Sequence, residues 1–86
     1  MEFEDYHEFV AIANIVVDEL VKIAYYYDIG KIDRKEVLKF LIKFEAVIKE
    51  FELEPPPFKN KEQRRCYKEL LVSLKKAVKN IRKNVA

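Results

Sequence analysis

The sequence predicts an all-α protein in which three long helices form an up-down-up bundle. Apolar residues recur at spacings of three and four in three separate segments, the period of an amphipathic helix. No segment keeps the alternation of apolar and polar residues that a half-buried strand requires. The connections between the segments are short, which favours antiparallel neighbours. We therefore expect residues 1–86 to form a single helical domain.

The first helix is predicted over residues 4–28. Its apolar face is broad enough to pack in a bundle. Gly30, the only glycine of the chain, stands where the C-terminus of a helix favours a left-handed residue, so the helix is expected to end near Asp28. The residues of the face are Phe3, Tyr6, Phe9, Val10, Ala13, Val16, Val17, Leu20, Ile23, Ala24 and Tyr27.

The second helix, predicted over residues 34–53, has the clearest start signal. Asp33 and Glu36 have the spacing of a capping box. Glu54 precedes a proline, which disfavours the helical conformation at Glu54 and ends the helix before it. A stiff, proline-rich connector is expected at 55–59. The predicted core face consists of Val37, Phe40, Leu41, Phe44, Val47, Ile48 and Phe51.

The third helix is predicted over residues 61–83. Asn60 is its expected N-cap, with Gln63 in the reciprocal position. Its apolar face consists of Tyr67, Leu70, Leu71, Leu74, Ala77, Val78 and Ile81. The opposite face is cationic and consists of Lys61, Arg64, Arg65, Lys68, Lys75, Lys76, Lys79, Arg82 and Lys83. This separation predicts that one face packs in the core and the other meets solvent.

The net charge of +2 conceals an uneven distribution along the chain. Residues 1–30 contain one basic and seven acidic residues, a net charge of −6, whereas residues 55–86 contain ten basic and two acidic residues, a net charge of +8. The segment between them is neutral. Such asymmetry indicates either a charged partner or mutual complementation of opposite segments. The Lys- and Glu-rich composition is typical of thermophile proteins.

No constellation in the sequence predicts catalysis or metal binding. Glu4 and His7 match half of the carboxylate-histidine signature of di-iron bundles, but the chain has no other histidine and both residues fall on the polar side of the first helix. Cys66 is the only cysteine and no histidine follows it. We therefore expect a non-catalytic protein with no cofactor, and we expect Glu4 and His7 to be a solvated surface pair.

The cationic face of the third helix is a candidate phosphate-binding strip. A row of cations along a helix can follow several phosphates with little sequence preference. That face carries no aromatic side chain for base stacking, and the isoelectric point of about 8.6 is modest for a nucleic-acid-binding module. Nucleic-acid binding is therefore the alternative function. Its candidate residues are Lys61, Arg65, Lys68, Lys75, Lys79 and Arg82.

A second apolar strip on the second helix predicts self-association. Leu38, Ile42 and Ala46 follow one another every four residues on the side away from the predicted core face, and Leu53 lies near the same line. An ordered apolar strip on a helix that already has a core face indicates a partner. Because symmetric homodimers are the commonest oligomers, we expect a homodimer.

The expected location is the cytoplasm. The longest uncharged run near the start, residues 9–17, is far shorter than the ~20 apolar residues that span a bilayer. The acidic N-terminus has the wrong sign for a secretory signal. The expected function is that of a soluble protein-protein interaction or assembly module, with no role for a membrane.

Overall fold

Three helices account for most of the chain in the computed structural model, which describes residues 2–85. The helices are α1 (Tyr6–Asp28), α2 (Arg34–Leu53) and α3 (Lys61–Val85). They pack together into a rod with principal extents of 43 × 19 × 18 Å. No strand occurs between residues 2 and 85, so the predicted all-helical class is confirmed over that range.

The predicted N-caps of α2 and α3 are both present. The Asp33 carboxylate accepts a hydrogen bond from the backbone N–H of Glu36 at 2.9 Å. The Asn60 side chain accepts one from the N–H of Gln63 at 2.8 Å. The Gln63 side chain in turn accepts a hydrogen bond from the N–H of Lys59. These bonds satisfy N–H groups that a helix start would otherwise leave unpaired.

Gly30 ends α1 as predicted, in the left-handed region with φ of 78°. The N–H of Gly30 bonds to the carbonyl of Tyr27, and the N–H of Lys31 bonds to the carbonyl of Tyr26. These two bonds form a Schellman motif, in which the left-handed residue turns the chain away from the helix axis. The turn leads directly to the Asp33 cap of α2.

Two helix ends differ from the predicted bounds. α1 begins at Tyr6 because Asp5 is extended, with φ of −153°, and caps the first turn by accepting from the N–H of Glu8. α3 continues to Val85, whose side chain is buried. The bounds of α2 coincide with those expected from the sequence.

The three helices share one apolar core, and aromatic side chains fill one end of it. Phe9 of α1 is fully buried, and its ring centroid lies 5.3 Å from that of Phe51 and 5.1 Å from that of Tyr67. Phe3 and Phe58, which lie outside the helices, also pack in this cluster. The first turns of α1, the last turn of α2 and the first turns of α3 therefore meet at the same end of the rod.

A side-chain hydrogen bond completes the C-terminus of α2. The carbonyl of Phe51 would normally accept from the N–H of residue 55, but Pro55 has none. The Tyr67 hydroxyl donates to this carbonyl instead, at 2.6 Å, and both side chains are buried. Burial, together with the nearby Glu52 carboxylate, raises the pKa of Tyr67 above its ordinary value. The bond ties α3 to the end of α2.

Two residues of α2 lie differently from their predicted positions. Phe40, predicted on the core face, is 37% exposed, whereas Leu38, predicted to point outward, is half-buried against the core. Leu38 lies on the same side of α2 as Glu45 and Glu52, whose carboxylates pair with cations of α3. That side is covered because α2 packs more extensively on α3 than on α1. The flank that carries Phe40 is left partly open.

Candidate functional site

An apolar groove of about 410 Å³ lies between α1 and α3. Its residues carry no formal charge, although charged residues make up 37% of the chain. An uncharged surface that extends over two helices is a candidate interaction surface. The lining residues are Val17, Leu20, Val21, Ala24, Leu70, Ser73, Leu74, Ala77, Asn80 and Ile81.

Small side chains create the space in this groove. Ala24 of α1 and Ser73 and Ala77 of α3 all line the groove, and their small side chains leave space between the two helices. Leu20 and Leu74 are buried and form the floor. The floor is therefore part of the protein's own core, and the walls above it are open to a partner.

The α2 strip is only partly an exposed apolar surface. Ile42 and Leu53 are 63% and 70% exposed, and Ala46 is also exposed, as the sequence predicts. Leu38 is half-buried and belongs to the margin of the core. The strip that remains for a partner therefore consists of Ile42, Ala46 and Leu53.

The six candidate phosphate-binding residues are all exposed on α3, but three of them form ion pairs with carboxylates. Lys75 contacts Glu52 at 2.8 Å, and Arg82 pairs with Glu45. Arg65 lies 3.7 Å from Glu62 and 3.9 Å from Glu69. The other three residues, Lys61, Lys68 and Lys79, have no carboxylate within ion-pair distance among residues 2–85. Their charge remains directed to solvent.

The residues singled out for metal or nucleophilic chemistry lie near the starts of α1 and α3. His7 and Glu4 are exposed at the start of α1, where the His7 ring lies 6.3 Å from that of Tyr6. Cys66 is half-buried beside Tyr6. Burial, with a contribution from Cys66, raises the pKa of the Tyr6 phenol. Between residues 2 and 85, no three His, Cys, Asp or Glu side chains are grouped so that they could hold a metal ion.

The groove was not predicted from the sequence, although a signal for it exists. On α3, Leu70, Ser73, Ala77, Asn80 and Ile81 follow one another at helical spacing without a charged residue. Small and neutral positions beside a core face indicate a surface that a neighbouring helix can approach closely. The large apolar side chains dominate the helical pattern, and they predict only the buried floor of the groove, not its open walls.

Comparison with protein-family models, with curated proteins and with solved structures gives no match for this chain. In the described part of the chain, no helix has both the length and the apolar character to cross a membrane. The geometry of the chain itself is therefore the basis for assigning it a function.

Proposed function

We propose that the protein is a non-catalytic protein-protein interaction or assembly module, and that it docks an apolar helical surface of its partner in the α1/α3 groove. One observation carries the proposal: the groove is uncharged over its whole lining in a chain rich in charged residues. Small-molecule pockets combine apolar walls with a few convergent polar groups. Ser73 and Asn80 are the only polar side chains of this lining.

The shape of the groove favours a helix as the docked element. An amphipathic helix binds a hydrophobic groove through side chains at positions i, i+3, i+4 and i+7. The groove extends from Leu70 to Ile81 along α3, about 16 Å at 1.5 Å per residue. Along α1 the groove extends from Val17 to Ala24, about 10 Å, so the two walls together face about two turns of a partner helix.

We infer that the bundle is up-down-up, which places α1 and α3 parallel on the two sides of the groove. Glu52 pairs with Lys75 and Glu45 pairs with Arg82, so a step of seven residues back along α2 matches a step of seven forward along α3. This supports antiparallel packing of α2 and α3. The meeting of Phe9 with Tyr67 supports placing the starts of α1 and α3 at the same end.

The α2 strip is a second candidate surface for self-association. Its support is the exposure of Ile42 and Leu53. It is weaker than the groove because Leu38 already packs at the margin of the core and because Lys39 and Lys49, both exposed, flank the strip. A homodimer through this strip remains our prediction from the sequence.

Binding of an apolar fluorescent dye to dilute protein, together with sedimentation equilibrium from low to high micromolar concentration, tests the proposed function. Val21→Glu places a charge in the groove at a side chain that is 64% exposed, so the fold should tolerate it. Val72→Glu is the matched control, because Val72 is 51% exposed on α3 outside the groove. Circular dichroism establishes that each variant is folded.

We expect the wild-type protein to bind the dye or to self-associate, and we expect Val21→Glu to abolish that binding while Val72→Glu leaves it intact. If Val21→Glu still self-associates, loss of that association on adding Ile42→Glu would assign it to the α2 strip. If the wild-type protein neither binds the dye nor associates at any concentration, the proposal is wrong. Equal effects of Val21→Glu and Val72→Glu would also contradict it.

Nucleic-acid binding is the second candidate function, and one feature of α3 favours it. Lys61, Lys68 and Lys79 project from α3 within about 20° of one another at 100° per residue, and each is exposed. Such an alignment matches the backbone of a polyanion. Arg65 and Lys75 form ion pairs with carboxylates, so fewer than six cations of the strip are available to phosphates. We therefore rank this function second.

A further inference from the structure

The two rims of the groove carry opposite charges. Asp18 lies on α1 about 60° around the helix from Val21, and Lys76 lies on the outer rim of α3 next to Ser73 and Asn80. Lys83 occupies a similar position to Lys76 further along α3, whereas Asp28 lies past the groove on the helical line of Val21 and Ala24. All four charged residues are exposed.

Among residues 2–85, these four charged residues form no ion pair with one another or with other side chains of the chain. No ion pair joins α1 to α3 among residues 2–85: the inter-helix pairs of α3 go to Glu45 and Glu52 of α2. The acidic residues on the same flank of α3, Glu62 and Glu69, lie before the groove and contact Arg65. Along the groove itself, Asp18 is the charged residue nearest to the α1 wall, with Lys22 further around the helix and paired with Glu19, and the α3 rim is basic.

The rim residues Asp18 and Lys76 lie at similar heights. The ring centroids of Phe9 and Tyr67 are 5.1 Å apart, which places these residues at similar heights and relates α1 to α3 by an offset of about 58 residues. Both helices rise 1.5 Å per residue, so Asp18 lies within about one turn of the level of Lys76.

We propose that the occupant of the groove is a second copy of this chain, related to the first by a two-fold axis that runs along the groove, so that α1 of each copy packs on α3 of the other. This inference rests on the proposed function and specifies its partner. Rotation about that axis preserves height, so Asp18 of each copy meets Lys76 of the other. The apolar walls meet between these ion pairs.

Charge complementarity disfavours the other symmetric dimer, in which the two-fold axis runs across the groove. An isologous dimer brings the same surface of both copies together. A two-fold axis across the groove would place α1 on α1 and α3 on α3, so that the rim of Asp18 meets its own copy and the rim of Lys76 meets its own copy. Only the axis along the groove pairs acid with base on both rims, which electrostatic complementarity requires.

The size of the molecule sets how much of a face a stable dimer needs. The largest face of a 43 × 19 Å rod projects about 800 Å², which is the area that each partner contributes to an interface of standard size. A stable dimer must therefore use most of one face of the rod. The face formed by α1 and α3 has an apolar centre framed by complementary charges.

Two charge reversals, measured separately and then mixed, test the arrangement. Asp18→Lys and Lys76→Asp each place like charges opposite one another in their own homodimer. In the mixed dimer, the introduced lysine of one chain would face the introduced aspartate of the other, and the unchanged Lys76 and Asp18 would also face each other. We expect each variant alone to dimerise about tenfold more weakly than the wild-type protein in sedimentation equilibrium, and we expect a 1:1 mixture to recover most of that loss.

Lys68→Asp is the matched control, because Lys68 is exposed on the side of α3 away from the groove. The dimer that it forms with Asp18→Lys keeps one like-charge contact, so this mixture should recover clearly less than the mixture of the two reversals. If the wild-type protein dimerises but the mixture does not recover, the axis is wrong while the interaction module stands. If the wild-type protein sediments as one chain at every concentration, this inference is wrong, and dye binding that is lost in Val21→Glu still supports the proposed function. If Asp18→Lys mixed with the wild-type chain dimerises more tightly than the wild-type chain alone, the axis runs across the groove and the proposal is overturned.

Discussion

Replacing Tyr67 with Phe removes one hydroxyl and tests whether α2 depends on α3 for its C-terminus. Pro55 leaves the carbonyl of Phe51 without its usual backbone donor, and the Tyr67 hydroxyl supplies the hydrogen bond at 2.6 Å. Both side chains are buried, so water cannot replace the lost donor readily. The ring itself, with its packing against Phe9 and Phe58, stays in place.

The expected loss is set by the cost of leaving a buried acceptor unpaired, about 1–3 kcal/mol. At about 0.05–0.15 kcal/mol per residue, a domain of this size unfolds with a free energy of about 4–13 kcal/mol. A loss of about 2 kcal/mol would lower the melting temperature by about 8–16 °C. We expect urea unfolding of Tyr67→Phe, followed by circular dichroism, to show a lower midpoint with an unchanged slope.

The control is Tyr25→Phe, because Tyr25 is 58% exposed and its ring contact with Tyr26 does not involve the hydroxyl. It should unfold at the same urea concentration as the wild-type protein. If Tyr67→Phe is as stable as Tyr25→Phe, the carbonyl of Phe51 does not need the Tyr67 hydroxyl and our account of the α2 C-terminus is wrong.

Further predictions concern pH, the helix ends and the cationic strip. The pKa of Tyr67 is higher in the folded than in the unfolded protein, so its contribution to stability is complete below about pH 10 and is lost as the pH rises through the folded value; pH titration of the urea midpoint should show a smaller alkaline loss in Tyr67→Phe than in the wild-type protein. Asp33→Ala should cost about 1 kcal/mol in thermal unfolding by freeing the N–H of its cap, and an unchanged midpoint would contradict this. Gly30→Ala should cost about 1 kcal/mol through backbone strain alone, since nothing lies within 4 Å of an added Cβ, and an equally stable variant would refute that origin. For duplex DNA, the double variant Lys68→Gln and Lys79→Gln should reduce the salt slope of binding by about 0.9 per lost contact if α3 follows phosphates; an unchanged slope would remove these residues from the strip.

The helix starts and ends were predictable from local chemistry. The Asp33 and Asn60 caps, the left-handed Gly30 and the block at Pro55 each depend on a few neighbouring residues. These local predictions hold in the folded protein because tertiary contacts do not supply a better partner for the first N–H groups of an exposed helix. The start of α1 was predicted two residues early, although Asp5 and the Glu8 that follows it have the same capping-box spacing as the start of α2.

The positions on the flanks of α2 were not predictable from the sequence. Phe40 and Leu38 are both apolar and lie on opposite sides of the buried arc, and helical periodicity ranks the larger residue as core. Which flank is covered depends on how closely α3 approaches α2 compared with α1, and that is a property of the whole bundle. The groove was not predicted for the same reason: it depends on how α1 and α3 pack, and it exists because Ala24 and Ala77 are small there.

The charge asymmetry of the sequence left two explanations open, and the ion pairs help to weigh them. If the acidic first segment served to hold the basic third helix inside one protomer, carboxylates of α1 would contact cations of α3. Across residues 2–85, Lys75 and Arg82 instead pair with α2, whose segment of the chain is neutral as a whole. The negative charge of α1 and much of the positive charge of α3 therefore remain directed outward on adjacent helices. Two such surfaces attract each other when the copies meet with α1 on α3, whereas a polyanion would meet the acidic helix beside the basic one. The distribution of charge thus favours a second copy of the chain over a nucleic acid as the partner.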